Sequence, residues 1–305
     1  MRTARNGPWR TKMLLTPRKG AIGAIVALLI LAACQANNAG TSPSAAIQST
    51  AASPVATVPT DQLKFPGKLV ACIDIPYPPQ ESFDDQGNPQ GSDVDIARET
   101  ASRLGLILDV ENSVFSTIIP ALTGGKCDII ISAQNINADR LKVVDMIPYF
   151  KAGQAFVAAK GNPKNIKAKD DLCGKVVAVQ EATTELDYLQ GTTKAGKPAI
   201  TIKTFVKDND ALLALQSGTA DVYFADSPVA GFYAKSHPDQ FELTGLTLDV
   251  AIEGISVDKG HTGLRDAVKT ALLSMINDGT YMKILQKWGD QDSAITADQV
   301  NSGKL

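Results

Sequence analysis

The sequence of 305 residues predicts an α/β fold in which mainly parallel strands are flanked by helices. Short runs of β-branched and apolar residues alternate along the chain with segments whose apolar residues recur at helical spacing. Strands that alternate with helices imply crossover connections and therefore parallel pairing. Hydrophobic residues make up 44% of the chain and charged residues 20%, which is the ordinary composition of a globular protein with a proper core.

The first strand is predicted at Leu69–Ile73, a buried run that a Pro-rich loop follows. Apolar residues then recur at helical spacing from Val94 to Leu104, and Gly105 stands where a helix C-cap belongs. The side chain of Asn137 can cap the start of a further helix. Between these two helices we expect a strand at 106–110, a short helix at 116–122 and a strand at 127–132.

The second half of the chain repeats this alternation. Strands are predicted at 155–157, 175–179, 199–205, 221–224 and 255–257, and helices near 184–189, 209–215, 228–236, 264–277 and 280–288, with Gly279 breaking the last pair. Open sheets of this kind bind ligands in the crevice beyond the carboxyl ends of their strands. The candidate binding loops are therefore those that follow Ile73, Ser132, Val179 and Phe224.

The first part of the chain has the marks of a secretory signal peptide. Basic residues precede a short apolar stretch that begins at Ala21 and ends in Leu31-Ala32-Ala33-Cys34. This core of about a dozen residues is shorter than the ~20 that a membrane-spanning helix needs. Small residues ending in Cys resemble the lipobox of bacterial lipoproteins, which predicts a leader at 1–33 and an acylated Cys34. An ordinary signal peptide that contains a cysteine is the alternative, and either Met1 or Met13 fits as the start.

Composition narrows the possible functions further. Residues 34–61 are rich in Ser, Thr, Ala and Pro, cannot bury a core, and are predicted to form a disordered linker after the lipidated cysteine. A formal net charge of -2 without runs of like charge gives no reason to expect nucleic-acid binding. His237 and His261, the two histidines, have no Cys or His at metal-ligand spacing. We therefore expect no metal, no cofactor and no Ser-His-Asp triad.

Three cysteines remain once Cys34 is assigned to lipid, an odd number for an oxidising compartment. Cys72 and Cys127 lie on predicted neighbouring strands and could pair, although a bridge between adjacent parallel strands is awkward geometry. Two buried thiols that pack as small apolar groups are the alternative. Cys173 has no evident partner in the sequence.

The candidate binding loops carry a coherent chemical set. Arg140 suits a carboxylate, because a guanidinium binds it in a bidentate fork, and helix starts add N–H donors. The carboxylates suit an ammonium group, so the whole set predicts a zwitterionic ligand. The set consists of Asp74 and Tyr77 in the first loop, Ser132, Asn135, Asn137 and Arg140 in the second, Thr183 and Thr184 in the third, and Asp226 in the fourth.

Five motifs in order resemble the family 3 solute-binding proteins of ABC importers, the polar amino-acid receptors, from Lys68 to Asp290. They are the segments 91–97, 130–140 and 179–184, the pair Ala225-Asp226, and the ending at 278–289. The resemblance implies a two-lobe periplasmic-binding-protein type II fold, in which each lobe is a mainly parallel sheet flanked by helices. Lobe 1 would comprise 62–151 and 253–305, lobe 2 would comprise 152–252, and two strands would form the hinge.

The same resemblance assigns roles to the candidate residues. It implies that Arg140 binds the α-carboxylate of the ligand and that Asp226 binds its α-ammonium group. The chain departs from the family pattern at Ala182, where the family has Gly before the Thr pair. The other implied ligand-binding residues are Tyr77 and Phe115 beside the ligand side chain, Asp74 at its polar end, and Ser132, Asn135, Thr183 and Thr184 around the two anchors.

These observations predict an extracytoplasmic substrate-binding lipoprotein of an ABC importer, tethered by its lipid in the periplasm or on the outer face of the envelope. We expect a monomer that delivers a polar amino acid to the permease and is not an enzyme. One alternative is an enzyme on the same fold, similar to cyclohexadienyl dehydratases, with Glu181 or Glu185 as the acid/base group. Another is a sensory receptor that presents its ligand to a kinase. The identity of the amino acid and the membrane that holds the anchor stay open.

Overall fold

The computed structural model of the protein describes residues 53–194, 199–245 and 248–304. The predicted leader and Cys34 lie outside these described residues, so the lipid anchor stays a prediction. Within the described ranges, no helix combines the length and the apolar character needed to cross a membrane. The end of the predicted linker packs onto the folded body, since Val58 is buried and the Val55 N–H donates to the carbonyl of Arg103 at 2.9 Å.

Strands and helices alternate along the described chain as the sequence predicts. The strands are β1 Lys68–Ile73, β2 Ser82–Phe83, β3 Pro89–Gln90, β4 Ile107–Asn112, β5 Ile129–Ile130, β6 Val144–Ala159, β7 Val176–Gln180, β8 Thr201–Phe205, β9 Val222–Asp226, β10 Phe241–Leu243 and β11 Leu248–Asp258. The helices are α1 Ser92–Arg103, α2 Ile118–Thr123, α3 Ala138–Val143, α4 Thr184–Lys194, α5 Asp208–Gln216, α6 Ser227–Ser236, α7 Thr262–Asp278, α8 Thr280–Trp288 and α9 Ala297–Ser302.

The main sheet has two parallel ends joined by two long antiparallel strands. Its strand order is β4-β1-β5-β11-β6-β9-β7-β8, with β10 paired to β6. We call β1, β4 and β5 with their helices lobe 1, and β7, β8, β9 and β10 with theirs lobe 2. Within lobe 1, β1 pairs in parallel with both β4 and β5. Within lobe 2, β7 pairs in parallel with both β8 and β9.

Strands β6 and β11 belong to both lobes. They pair with each other over most of their length, from Val144 opposite Asp258 to Gln154 opposite Leu248. One end of β11 also pairs with β5 of lobe 1, whereas the far end of β6 pairs with β9 and β10 of lobe 2. The sequence predicts only short strands at 155–157 and 255–257, so it underestimates these two connections.

Each lobe has its own apolar core. In lobe 1, β1 and β5 pack against α1, α7 and α8, and a second cluster on the other face includes Ile118, Leu122 and Ile130. In lobe 2, separate clusters cover the two faces of the sheet, one around Tyr223 and one around Phe224. Burial of both faces is expected for sheets whose crossover helices cover each side.

Cys72 and Cys127 form a disulfide bond inside lobe 1, so the pairing that the sequence leaves open is resolved by the structure. Their Cα atoms are 5.7 Å apart, within the usual range for a disulfide. The bridge does not join two adjacent parallel strands, because β5 begins only at Ile129 and Cys127 lies in the preceding loop. Cys173 is half-buried and has a free thiol.

Candidate ligand-binding site

A cavity lies where the loops from the carboxyl ends of the strands meet, between lobe 1 and lobe 2, and its empty space of about 310 Å³ includes part of the open solvent. The structure brings most of the predicted binding residues to its wall: Asp74, Tyr77, Phe115, Ser132, Asn135, Arg140, Thr183, Thr184 and Asp226. Asn137, also in the predicted set, is not among the lining residues and instead caps α3. The other lining residues were not predicted to bind the ligand: Glu81, Ala133, Gln180 and Glu185.

Arg140 is the buried cation of the site, with 9% of its surface exposed. It lies on α3, whose start is capped as predicted, since the Asn137 side chain accepts the Arg140 backbone N–H at 2.8 Å. The guanidinium donates to the carbonyl oxygen of Asn135 at 2.6 Å and to that of Ala182 at 3.1 Å. Burial lowers its pKa from the ordinary value. Because a guanidinium has five donors, these two bonds leave capacity for a carboxylate.

The ring of Phe115 lies beside this guanidinium, with its centroid 5.4 Å from the Arg140 Cζ. A cation this close to an aromatic ring gains electrostatic attraction and loses side-chain freedom. The Phe115 ring also lines the cavity. We infer that it holds the guanidinium in place and offers an apolar surface to whatever occupies the cavity.

The start of α4 closes the cavity from the side of lobe 2. The hydroxyl of Thr184 accepts hydrogen bonds from the amides of Asn135 at 2.9 Å and Gln154 at 3.2 Å. Thr183 caps the helix, accepting the Leu186 N–H at 3.2 Å. The first N–H groups of a helix and its positive dipole end favour an anion, which here adds to the charge of the nearby guanidinium.

Ala182 and Ala133 both adopt left-handed backbone conformations beside the cavity, with φ values of 60° and 45°. Glycine takes this conformation without steric cost, whereas alanine is strained by about 1–2 kcal/mol. The departure from Gly at position 182 therefore leaves the loop in the conformation that Gly would favour. The carbonyl of Ala182 still reaches the Arg140 guanidinium across the cleft.

Asp226 is the buried carboxylate opposite, at the end of β9. It accepts the Tyr77 hydroxyl proton at 2.9 Å, and its backbone N–H donates to the same hydroxyl at 3.0 Å. The Asn135 amide lies 3.4 Å from its other oxygen. Burial, followed by the nearby Glu185 and Glu253 carboxyls, raises the pKa of Asp226 well above its ordinary value. A ligand ammonium group would reverse this shift by stabilising the ionised form.

Asp74 lines the cavity as predicted, but its charge is already paired. One carboxylate oxygen accepts from the ammonium group of Lys207, and the other accepts from the Gln180 amide at 2.6 Å. Its backbone N–H donates to the Ser132 hydroxyl at 2.9 Å. Burial raises the pKa of Asp74, and Lys207 opposes that shift. No sequence pattern marks Lys207, which follows β8 and is separated from Asp74 by 133 positions.

Two further carboxyl groups on the cavity wall are buried. Glu81 is fully buried, with the side chains of Ser132 and Asp93 beside it. Burial, followed by the charges of Asp93 and Asp74, raises its pKa well above the ordinary value. Glu185 is also buried, which raises its pKa, and accepts the Thr184 hydroxyl at 3.3 Å. Glu181, the other acid/base candidate of the sequence, accepts from Ser116 at 2.6 Å and is not among the lining residues.

A buried polar network supports the cavity floor in lobe 1. Asp93 accepts the Tyr149 hydroxyl at 2.8 Å and the backbone N–H of Ala133 at 3.0 Å, which fixes the strained loop. Burial raises the pKa of Asp93 to about 7. Glu253, on β11, accepts the Gln80 amide at 2.8 Å. Within the described ranges, no group of three or more His, Cys, Asp or Glu side chains is arranged to hold a metal ion.

The fold and this cavity define a two-lobe receptor for a small solute. Residues 69–291 match the family model described as bacterial extracellular solute-binding proteins, family 3. The chain therefore belongs to family 3 of the bacterial extracellular solute-binding proteins. The predicted family and the predicted type II periplasmic-binding-protein fold are both confirmed.

Individual relatives cover most of the folded body. The arginine-binding protein ArgT of Corynebacterium glutamicum is 30% identical over 78% of this chain and 80% of its own length. A solved structure of an ancestral arginine-binding protein bound to glutamine is 36% identical, with a TM-score of 0.69 over 73% of this chain and 98% of that one. The ancestral amino-acid-binding protein AncCDT-1, a precursor of cyclohexadienyl dehydratase, is 34% identical, with a TM-score of 0.67 over 73% of this chain and 95% of that one.

Proposed function

We propose that this protein is the amino-acid-binding component of an ABC importer and delivers a polar amino acid to the membrane permease. One observation carries the proposal: a single cavity holds a buried guanidinium, Arg140, and a buried carboxyl, Asp226, on opposite lobes. A zwitterion satisfies both groups at once. The names of the relatives, which are amino-acid-binding proteins, support the same ligand class.

In this proposal the α-carboxylate of the ligand binds Arg140 and the N–H groups at the start of α4. The α-ammonium group binds Asp226, whose carboxyl the Tyr77 hydroxyl positions. The ligand side chain then lies between the rings of Tyr77 and Phe115 and points toward Asp74. Ser132, Asn135, Thr183 and Thr184 order the loops around the two anchors.

A ligand held in this way contacts both lobes and therefore favours the closed arrangement. We propose that the chain crosses between the lobes near residues 151–152 of β6 and 252–253 of β11. These are the middle parts of the two long strands, close to the register shift between Glu253 and Gly254. The permease would recognise the closed arrangement as the ligand-bound form.

The beginning of the chain supports a lipid-anchored location outside the cytoplasm. The proposal assigns 1–33 to a leader, Cys34 to the acylated anchor, and the following residues to a tether that leaves the body free to tumble as a monomer. A labelling experiment with radioactive palmitate, comparing the full chain with Cys34→Ser, tests the anchor. Label that persists in Cys34→Ser would contradict it.

An amino-acid panel tests the binding function. A ligand at 100 times its Kd adds about 2.7 kcal/mol to the free energy of unfolding, or roughly 5–10 °C in Tm for a body of this size. We expect at least one polar amino acid to produce this shift and to bind 1:1 in calorimetry. Asp226→Asn should abolish the shift, whereas Asp239→Asn, an exposed control, should retain it. A panel without any response would contradict the proposal.

An enzymatic function on the same fold is the second candidate. It is favoured by Glu185, a buried carboxyl with a raised pKa on the cavity wall, and by the similarity to a dehydratase precursor. A raised pKa keeps a carboxyl protonated over a wider pH range, which a general acid requires. Incubation with prephenate and with arogenate tests this candidate. Turnover that disappears in Glu185→Gln would establish it, and the absence of turnover would exclude both substrates.

A further inference from the structure

We infer that Lys207 is a specificity-determining residue: by pairing with Asp74 it directs the cavity toward amino acids with uncharged polar side chains and against arginine and lysine. The inference rests on the proposed amino-acid-binding function. It concerns only the end of the cavity that receives the ligand side chain, and leaves the roles of Arg140 and Asp226 unchanged.

Lys207 reaches from one lobe into the other. It lies between β8 and α5 of lobe 2, and its side chain is 26% exposed. Its ammonium group contacts the Asp74 carboxylate, the carbonyl oxygen of Ser113 at 2.9 Å and that of Ile75 at 3.3 Å. All three acceptors belong to lobe 1. Since an ammonium group has three donors, these contacts use its full capacity.

Asp74 is occupied from both sides as a result. Its side chain is only 6% exposed, and its second oxygen accepts the Gln180 amide at 2.6 Å. Both of these side-chain donors belong to lobe 2, so the carboxylate is enclosed when the lobes meet. A guanidinium or ammonium group of a ligand would have to displace Lys207 and leave its charge unpaired in a partly buried position, which is unfavourable.

Glu81 is the other carboxyl at this end of the cavity, and when protonated it can bond to a neutral polar group. It is fully buried, and the nearby carboxyls of Asp93 and Asp74 disfavour its ionisation. A protonated carboxyl both donates and accepts hydrogen bonds, which matches an amide or a hydroxyl.

Competition calorimetry on the unmodified protein tests the inference without any substitution. Glutamine, asparagine and serine are compared with arginine and lysine. We expect the tightest uncharged ligand to bind at least ten-fold more tightly than either cation. Tighter binding of arginine or lysine would overturn the inference while supporting the proposed function. The absence of binding to every amino acid would instead contradict the proposed function.

The variant Lys207→Met tests the mechanism, because it removes the ammonium group and keeps most of the aliphatic stem. We expect the ratio of arginine affinity to glutamine affinity to rise at least ten-fold. Lys203→Met is the matched control: Lys203 is exposed on β8, donates to the Thr219 carbonyl at 2.7 Å, and carries the same charge. An unchanged ratio in folded Lys207→Met, or equal weakening of all ligands, would overturn the inference. If Lys207→Met does not fold, the comparison of ligand affinities on the unmodified protein is sufficient to test the inference.

Discussion

The substitution Arg140→Ala addresses the central contact of the proposed site. The guanidinium is buried, and its bonds to the carbonyls of Asn135 and Ala182 hold it in the cleft. Without it, a bound α-carboxylate would lie in a buried position without its charge partner, which costs about 3–5 kcal/mol. We therefore expect amino-acid affinity to fall by about 100- to 1,000-fold or more, since each 1.4 kcal/mol is a factor of ten.

Titration calorimetry measures this change, and Arg98→Ala is the control. Arg98 is exposed on α1 and pairs with Asp95 away from the cavity, so its loss removes the same charge and should leave affinity within two-fold. Arg140→Lys should give an intermediate affinity, because lysine keeps the charge but not the bidentate fork. Unchanged affinity in a folded Arg140→Ala variant would refute the assignment of the carboxylate anchor.

Three further predictions concern stability. In urea denaturation, Gly91→Ala should destabilise the fold by at least ~2 kcal/mol more than Gly218→Ala. A Cβ added at position 91 would lie 2.0 Å from a backbone oxygen, whereas one added at position 218 would meet nothing within 4 Å. Equal losses of stability in the two variants would contradict this steric explanation. Joint replacement of Cys72 and Cys127 by Ala should lower the free energy of unfolding by about 2–4 kcal/mol, because their bridge closes a long loop, and an unchanged urea midpoint would exclude this. Burial raises the pKa of Asp208 to about 8; the folded state keeps a proton that the unfolded state loses above pH ~4, so stability should fall between pH ~4 and 8, and Asp208→Asn should flatten that slope. If the pH dependence of stability is unchanged in Asp208→Asn, other buried carboxyls are its cause.

The parts of the site that lie at strand ends could be predicted from the sequence. Asp74 and Asp226 follow apolar runs directly, and Asn137 precedes a helix that it caps. Each of these signals is local, and the rule that loops at the carboxyl ends of strands converge supplies the rest. The same rule would have found Gln180, the last residue of β7, which was not assigned to the site.

The contacts that depend on the tertiary arrangement could not be predicted. Lys207 precedes a helix, in an ordinary surface pattern, and only the meeting of the lobes places it against Asp74. Glu81 is a single charged residue in a Pro-rich loop, and no sequence pattern indicates that it is buried. Strand β6 continues through Pro148, Lys151 and Gly153, which interrupt the apolar pattern, because pairing with β11 stabilises those residues in an extended conformation.

The position of β11 in the sheet has a consequence for the order in which the protein can fold. This strand lies between β5 and β6, so Ser256 pairs with Ile130 and Met146, residues made much earlier. Contacts between residues so far apart in sequence form late, because the chain entropy of a long loop opposes them. The first half of lobe 1 therefore cannot complete its sheet until nearly the whole chain is available. The order of the strands in the sheet therefore delays completion of lobe 1 until β11, close to the end of the chain, has been made.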